Sequence, residues 1–297
     1  REGPAQREGE GRLFTMAGPD SRMNIGGVSR RSALLALSLL AACAAPQKPP
    51  SPAVSPTTYL DVHIPAFARL PYAPFSRVAA IQIAEGEWRA FNSPVVTPTS
   101  VETVDEEREN GLWQRVGLYW WLALDPRWPQ QRWTGKHDQN GEKFPVAVNG
   151  YYAWSAAFIS YVMRLAGAGN KFVYSEAHTD YINAARRHGL GEEPGLAITA
   201  EPPQSYAPQP GDLVCEWRAG VKVSFDDLPT PKRFPSHCDI VVGREPGLID
   251  GIGGNLNDAV AMEKIPVTAD GHLANPDGTI VDPDRPWFVV IKVDYDR

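Results

Sequence analysis

Apolar residues recur at helical spacing through the first half of the chain and give way to short β-rich runs after Pro210. Between Phe75 and Asn92, Val78, Ile81, Ala84 and Trp88 mark one helix face, and Ser93-Pro94 stops the pattern. A second helix is predicted from Asp105 to Leu124, with Leu112, Val116, Tyr119, Trp120 and Ala123 as its apolar stripe and Asp125-Pro126 as its stop. A third begins near Trp154 and ends at Gly167 or Gly169. Ser175 reads as the N-cap of a fourth, which runs through Arg187 to Gly189. Residues 134–150 carry glycine, proline and Asn-Gly pairs and read as a loop, and the Pro-rich segment 194–210 reads as irregular.

Five segments after Pro210 have strand character: Leu213–Trp217, Asp239–Val242, Leu248–Ile252, Ala259–Ile265 and Trp287–Val293. Helices first and strands second predict an α+β fold with the helices packed on a five-stranded antiparallel sheet. The aromatic cluster of Trp113, Tyr119, Trp120, Trp121, Trp128 and Trp133 reads as packing between helices, with a sugar-stacking surface as the competing interpretation.

The N-terminal region has a different character. Residues 1–22 read as an extension ahead of a start at Met16 or Met23, and residues 23–42 read as an export signal. In that signal Arg30-Arg31 precede the apolar run Ala33–Leu40 and the small residues Ala41-Ala42. So short a run does not span a bilayer core of roughly 30 Å. Leu40-Ala41-Ala42-Cys43 resembles the bacterial lipobox, which implies lipidation of Cys43, membrane attachment through it, and an outer-membrane location facing the periplasm. Ser29-Arg30-Arg31 also fits a twin-arginine signal, so the export route stays open between the two. Residues 43–58, with the Pro-rich run Pro46–Pro56, read as a semi-rigid tether rising about 3.1 Å per residue. Residues 59–150 then form the helical part of the domain and residues 151–297 its core.

Charge narrows the partners. Of the net −6, the first 42 residues contribute +2, which leaves −8 on the remainder. No basic stripe accompanies that charge, so nucleic acid is excluded as a partner. Beyond Cys43, Cys215 and Cys238 match no zinc spacing, and neither a metal nor another cofactor is expected. The two cysteines read either as a disulfide or as two buried thiols.

The chemistry-bearing motifs appear in a definite order. Tyr151-Tyr152-Ala153-Trp154-Ser155-Ala156-Ala157-Phe158-Ile159-Ser160 opens the third helix. Pro208-Gln209-Pro210-Gly211-Asp212-Leu213 leads into the first long strand, and Ser236-His237-Cys238-Asp239 and Gly253-Gly254-Asn255 follow. This order resembles the papain-like cell-wall hydrolases of the NlpC and CHAP families. The whole set, with Ser175-x-x-His178, resembles more closely the bacterial family catalogued as domain of unknown function 2272, over about residues 79–294. The resemblance implies a papain-like fold and a cleft for peptidoglycan or wall-derived peptides. It also implies a site in which Ser155 stands where the hydrolases keep cysteine, with His237 as base and Asn255 or Asp239 as its orienting group. Asp239 shares a strand face with His237, because side chains alternate along a strand. Trp154 and His178 border the cleft as substrate-binding candidates. A serine hydroxyl is a weak nucleophile until a base removes its proton, so two readings stand: a serine-dependent peptide or amide hydrolase or acyl-transferase, and an inactive relative that binds through the same cleft.

Overall fold

The structure, a computed structural model, describes residues 73–97, 105–124, 129–138, 140–145 and 152–296. The expectations placed on residues 1–72, including the export signal, Cys43 and the tether, lie outside the described residues, as does Trp128. Among the described residues are four α-helices: α1 (Arg77–Ala90), α2 (Leu112–Ala123), α3 (Ser155–Leu165) and α4 (His178–Gly189). Seven strands accompany them: β1 (Val95–Val96), β2 (Ile198–Glu201), β3 (Leu213–Trp217), β4 (Ser236–Glu245), β5 (Leu248–Leu256), β6 (Ala259–Pro266) and β7 (Trp287–Val293). The α+β class is as the sequence pattern predicts.

The five-stranded antiparallel sheet needs correction. One sheet of seven strands runs in the order β1-β6-β5-β4-β3-β7-β2. It is mixed, because β1 pairs parallel with β6 through Val95↔Met262 and Val96↔Glu263. Two residues are too few to show an alternating pattern, which is why β1 escapes a sequence reading. Strand β2 falls inside the Pro-rich stretch read as irregular, although Ile198-Thr199-Ala200-Glu201 does alternate buried and half-buried positions. It closes the opposite edge of the sheet against β7.

Helix ends also shift in instructive ways. Ser76 caps α1 by accepting the Ala79 N–H at 3.2 Å. The predicted second helix divides into a 3-10 turn (Asp105–Arg108) and α2, with Gly111 at φ 93° between them. Ser175 is not the N-cap of α4. Ala177 holds that position, and the Ser175 hydroxyl accepts the Ala177 N–H at 3.0 Å while donating to Asp180 at 2.7 Å.

The main core lies between the helices and one face of the sheet, and α3 runs through it with Ala156 to Met163 all buried. A helix buried on every side must satisfy its polar groups internally. Ser160 does so by donating to the Ser175 carbonyl at 2.9 Å and accepting its N–H at 3.1 Å. One buried carboxylate, Glu87 on α1, ties three helices by accepting from Arg115 at 2.8 Å, Tyr119 at 2.6 Å and Tyr161 at 3.2 Å. A second core of Val214, Val241, Ile249, Ile265, Leu273, Trp287 and Val290 is separate from the helices. Tyr119 and Trp120 of the aromatic cluster are fully buried, as packing between helices requires, whereas Trp121 is exposed. Cys215 and Cys238 face each other directly across β3 and β4 and form a disulfide, which decides between the two states the sequence leaves open.

Candidate active site

Helix α3 begins at Ser155, and Trp154 at its N-cap supplies no side-chain hydrogen bond to the first turn. The first N–H groups of a helix have no partner within it, so this end presents uncapped donors beside the positive pole of the helix dipole. Ser155 is half-exposed there, next to exposed Ala153. Its hydroxyl lies 2.7 Å from Nε2 of His178. His178 is itself the first residue of α4, whose Ala177 N-cap likewise lacks a side-chain bond. Two uncapped helix starts therefore meet at one serine–histidine contact.

The other nitrogen of His178, Nδ1, is hydrogen-bonded to the hydroxyl of Tyr181, one helical turn along α4. If Nδ1–H donates to the phenol, the Nε2 lone pair faces the Ser155 O–H; in the opposite tautomer Nε2–H donates to the serine. Only the first arrangement lets His178 accept the serine proton. Burial, then the neighbouring His237 and Arg218, hold His178 well below the usual histidine range, so it is neutral at physiological pH.

This geometry corrects the expected pairing. His237 opens β4 as the sequence suggests, but its Nε2 meets Asp239 Oδ1 at 2.9 Å instead of Ser155. Its ring centroid is 5.3 Å from that of His178. The histidine that reaches Ser155 is His178, a residue whose expected place is in substrate binding. The physical reason lies in α4, whose start is fastened to the start of β4 by Thr179 Oγ1 donating to the Phe234 carbonyl at 2.8 Å. That contact brings the helix histidine to the serine, while the alternation of β4 turns His237 toward Asp239.

The hydrogen-bond partner of His237 is Asp239 and not Asn255. Asn255 sits at φ 58° in the irregular step of β5 between Gly253 and Leu256, and its Oδ1 is buried without a hydrogen-bond partner. Two glycines make this arrangement fit. A Cβ on Gly253 would fall 2.7 Å from His237 Nε2, and one on Gly254 would fall 2.6 Å from Phe158 Cβ and 2.8 Å from Trp154. Trp154 is also corrected: it is fully buried and offers no surface to a substrate. Its indole N–H donates to Glu107, which pairs with Lys136, and Lys136 pairs in turn with Asp258 at 2.7 Å. Burial, then Asp258, push Glu107 up to about 7 against the pull of Lys136.

Beneath His237, Asp239 is joined by two acids that the sequence pattern does not announce, Glu216 and Glu263. Glu216, Asp239 and Glu263 are all buried, and Arg285 donates to Glu216 at 3.2 Å and to Glu263, while Arg218 donates to Glu216 at 2.8 Å. Burial, then Glu216, push Asp239 up to about 7; burial, then Asp239, push Glu263 up to about 8. The missed signal was a carboxylate in step with apolar positions, as in Met262-Glu263-Lys264-Ile265, where Glu263 shares its face with buried Ile265. Tyr181 was legible in principle as the i+3 neighbour of His178.

These shifts set a pH dependence. Folded acids with raised values keep protons that the unfolded chain has already released, so stability falls as pH rises toward those values. The two buried neutral histidines act in the opposite sense, but only below about pH 6.5. From about pH 6.5 to about pH 8 the acids act alone, and the melting temperature is expected to fall over that range. Thermal unfolding at both ends checks this, and Glu263→Gln should flatten the slope. A melting temperature that rises across the range would contradict the assignment.

The family model described as an uncharacterised protein conserved in bacteria, domain of unknown function 2272, matches residues 107–293. The chain belongs to this family. The matched span runs from Glu107 to Val293 and so includes Ser155, His178, Tyr181, His237, Asp239, Asn255 and both cysteines, whereas α1 and β1 precede it. No curated protein and no solved structure matches the chain. Among the described residues no group of three or more histidine, cysteine or acidic side chains is placed to hold a metal ion, and no helix is long and apolar enough to cross a membrane.

Proposed function

We propose that this family member is an exported serine-dependent acyl hydrolase or acyl-transferase working on cell-wall material. Ser155 is the nucleophile and His178 the base. The observation that carries the reading is the 2.7 Å contact between Ser155 Oγ and His178 Nε2 at the uncapped start of a buried helix. There the serine proton has an acceptor, and the α3 first-turn N–H groups lie where an oxyanion would form.

The papain-like assignment rests on order and packing. A buried helix opens with the nucleophile, it packs on β4 and β5, and those strands carry His237 and Asn255. The wall substrate, peptidoglycan or its peptides, comes from the resemblance to the NlpC and CHAP hydrolases. Lipidation at Cys43 and a periplasm-facing outer-membrane location come from the lipobox-like Leu40-Ala41-Ala42-Cys43. The Cys215–Cys238 disulfide suits an oxidising compartment.

The test is incubation of the purified chain with peptidoglycan and with acyl esters, beside Ser155→Ala. Turnover lost in the variant supports the proposal; no turnover, or turnover unchanged by the substitution, defeats it. The second reading, an inactive relative that binds wall fragments, draws on the serine at the thiol position and on the burial of His178. Affinity for wall fragments that survives Ser155→Ala, with no turnover in either protein, would favour it.

A further inference from the structure

We infer that the Ser155 site is built for O-acyl esters and not for amides, with Tyr181 as the positioning residue of its base. The inference rests on the Ser155–His178 reading above and narrows its substrate class.

Three observations converge on it. First, His178 Nδ1 meets a phenol, not a carboxylate. The nearby carboxylate, Asp239, is engaged with Nε2 of His237 instead. A hydrogen bond to an ionised acceptor is about twice as strong as a neutral one, so this histidine lacks the partner that stabilises a positive ring. Second, both Ser155 and His178 open helices whose N-caps give no side-chain bond. Helix starts favour anions and penalise cations within their first turn. Third, the charged or titratable groups that act on His178 are the His237 ring, at 5.3 Å between centroids, and the Arg218 guanidinium, neither of which compensates a positive charge, while Asp180 in the first turn of α4 is paired with Arg233. The site is therefore suited to a developing oxyanion and unsuited to a lasting imidazolium.

Esters and amides differ in just this demand. In acylation, Ser155 Oγ bonds to the acyl carbon and its proton passes to His178 Nε2, giving a tetrahedral oxyanion. When that intermediate collapses, the acyl–oxygen bond of an ester breaks with the electron pair leaving on oxygen, and only after it has left does that oxyanion take the proton from His178 to become the alcohol. Water then attacks the acyl-serine, gives a proton to Nε2, and the acid departs as Ser155 regains its hydrogen. The sum is ester plus water to acid plus alcohol. An amide nitrogen leaves only once it is protonated, so the imidazolium must form fully and give its proton to the nitrogen before the bond breaks. An ester oxygen with a stable anion leaves without that help.

The experiment uses the full chain with p-nitrophenyl acetate and p-nitroacetanilide, which share an acyl group and an arene. Each rate is divided by its own rate in buffer, so that the greater intrinsic reactivity of the ester cancels. We expect the Ser155-dependent acceleration of the ester to exceed that of the amide by about 100-fold or more, and Tyr181→Phe to lower kcat for the ester about tenfold or more with KM unchanged. Equal acceleration of the two substrates overturns the ester preference while leaving Ser155 a nucleophile. Unchanged kcat in Tyr181→Phe removes the positioning role. Labelling of Ser155 by a fluorophosphonate with neither substrate accelerated overturns the inference alone. No labelling and no acceleration overturns both it and the function it rests on.

Discussion

His178→Gln is expected to slow the reaction of Ser155 with a fluorophosphonate by about 10²- to 10⁴-fold, the usual contribution of a positioned general base. His237→Gln should leave that rate within about tenfold of the parent chain. The contrast follows from the geometry: Nε2 of His178 is 2.7 Å from the serine hydroxyl, whereas Nε2 of His237 is held by Asp239 at 2.9 Å. Intact-mass measurement of the phosphonylated chain gives the rate, and circular dichroism checks that both variants fold. A larger loss in His237→Gln than in His178→Gln would return the base role to the strand histidine and unseat the pairing described here.

The second large effect concerns stability. Arg285→Met removes the cation that serves both Glu216 and Glu263 and leaves three buried carboxyls with Arg218 as their remaining basic partner among these contacts. Breaking a buried ion pair from one side costs about 3–5 kcal/mol. For a domain of this size, at about 2–4 °C per kcal/mol, the melting temperature should fall by about 6–20 °C. The fall should be smaller near pH 5 than near pH 8, since protonation neutralises Asp239 and Glu263 at the lower value. An equal fall at both pH values would show that Arg285 acts through packing alone. Glu263→Gln in the same chain should recover part of the loss, because the two changes touch one network.

Much of the fold was legible because long elements repeat their pattern. The helices and the five longer strands run long enough to show their character, the strands as β-rich segments bounded by turn residues, and errors gathered where the element was brief, at two-residue β1 and four-residue β2. The site was legible as a set of residues but not as a set of partners. Ser155, His178, His237 and Asp239 all stood out, yet both histidines lie at the start of an element and both follow closely on a serine, Ser175 and Ser236. Nothing in one dimension says which imidazole the third brings to the serine; that depends on the Thr179–Phe234 contact between α4 and the approach to β4. Asp239 was recognisable as a neighbour of His237 because a period of two relates residues on a single strand. Glu107, which holds the Trp154 indole, lies 47 residues upstream in a short 3-10 turn, and its partner Lys136 lies in a loop, so no periodicity announces either of them.

Cys215 and Cys238 bracket the segment between β3 and β4, where residues 219–222 are exposed and Ala219 and Gly220 both have positive φ. A protease that cuts after Lys222 would sever the backbone between the strand leading in and the strand that carries His237. The two fragments would nonetheless stay covalently joined and keep their register, travelling as one molecule until a reductant separates them. In a compartment rich in proteases and poor in thiols, a nicked chain of this design keeps its serine and its histidines together.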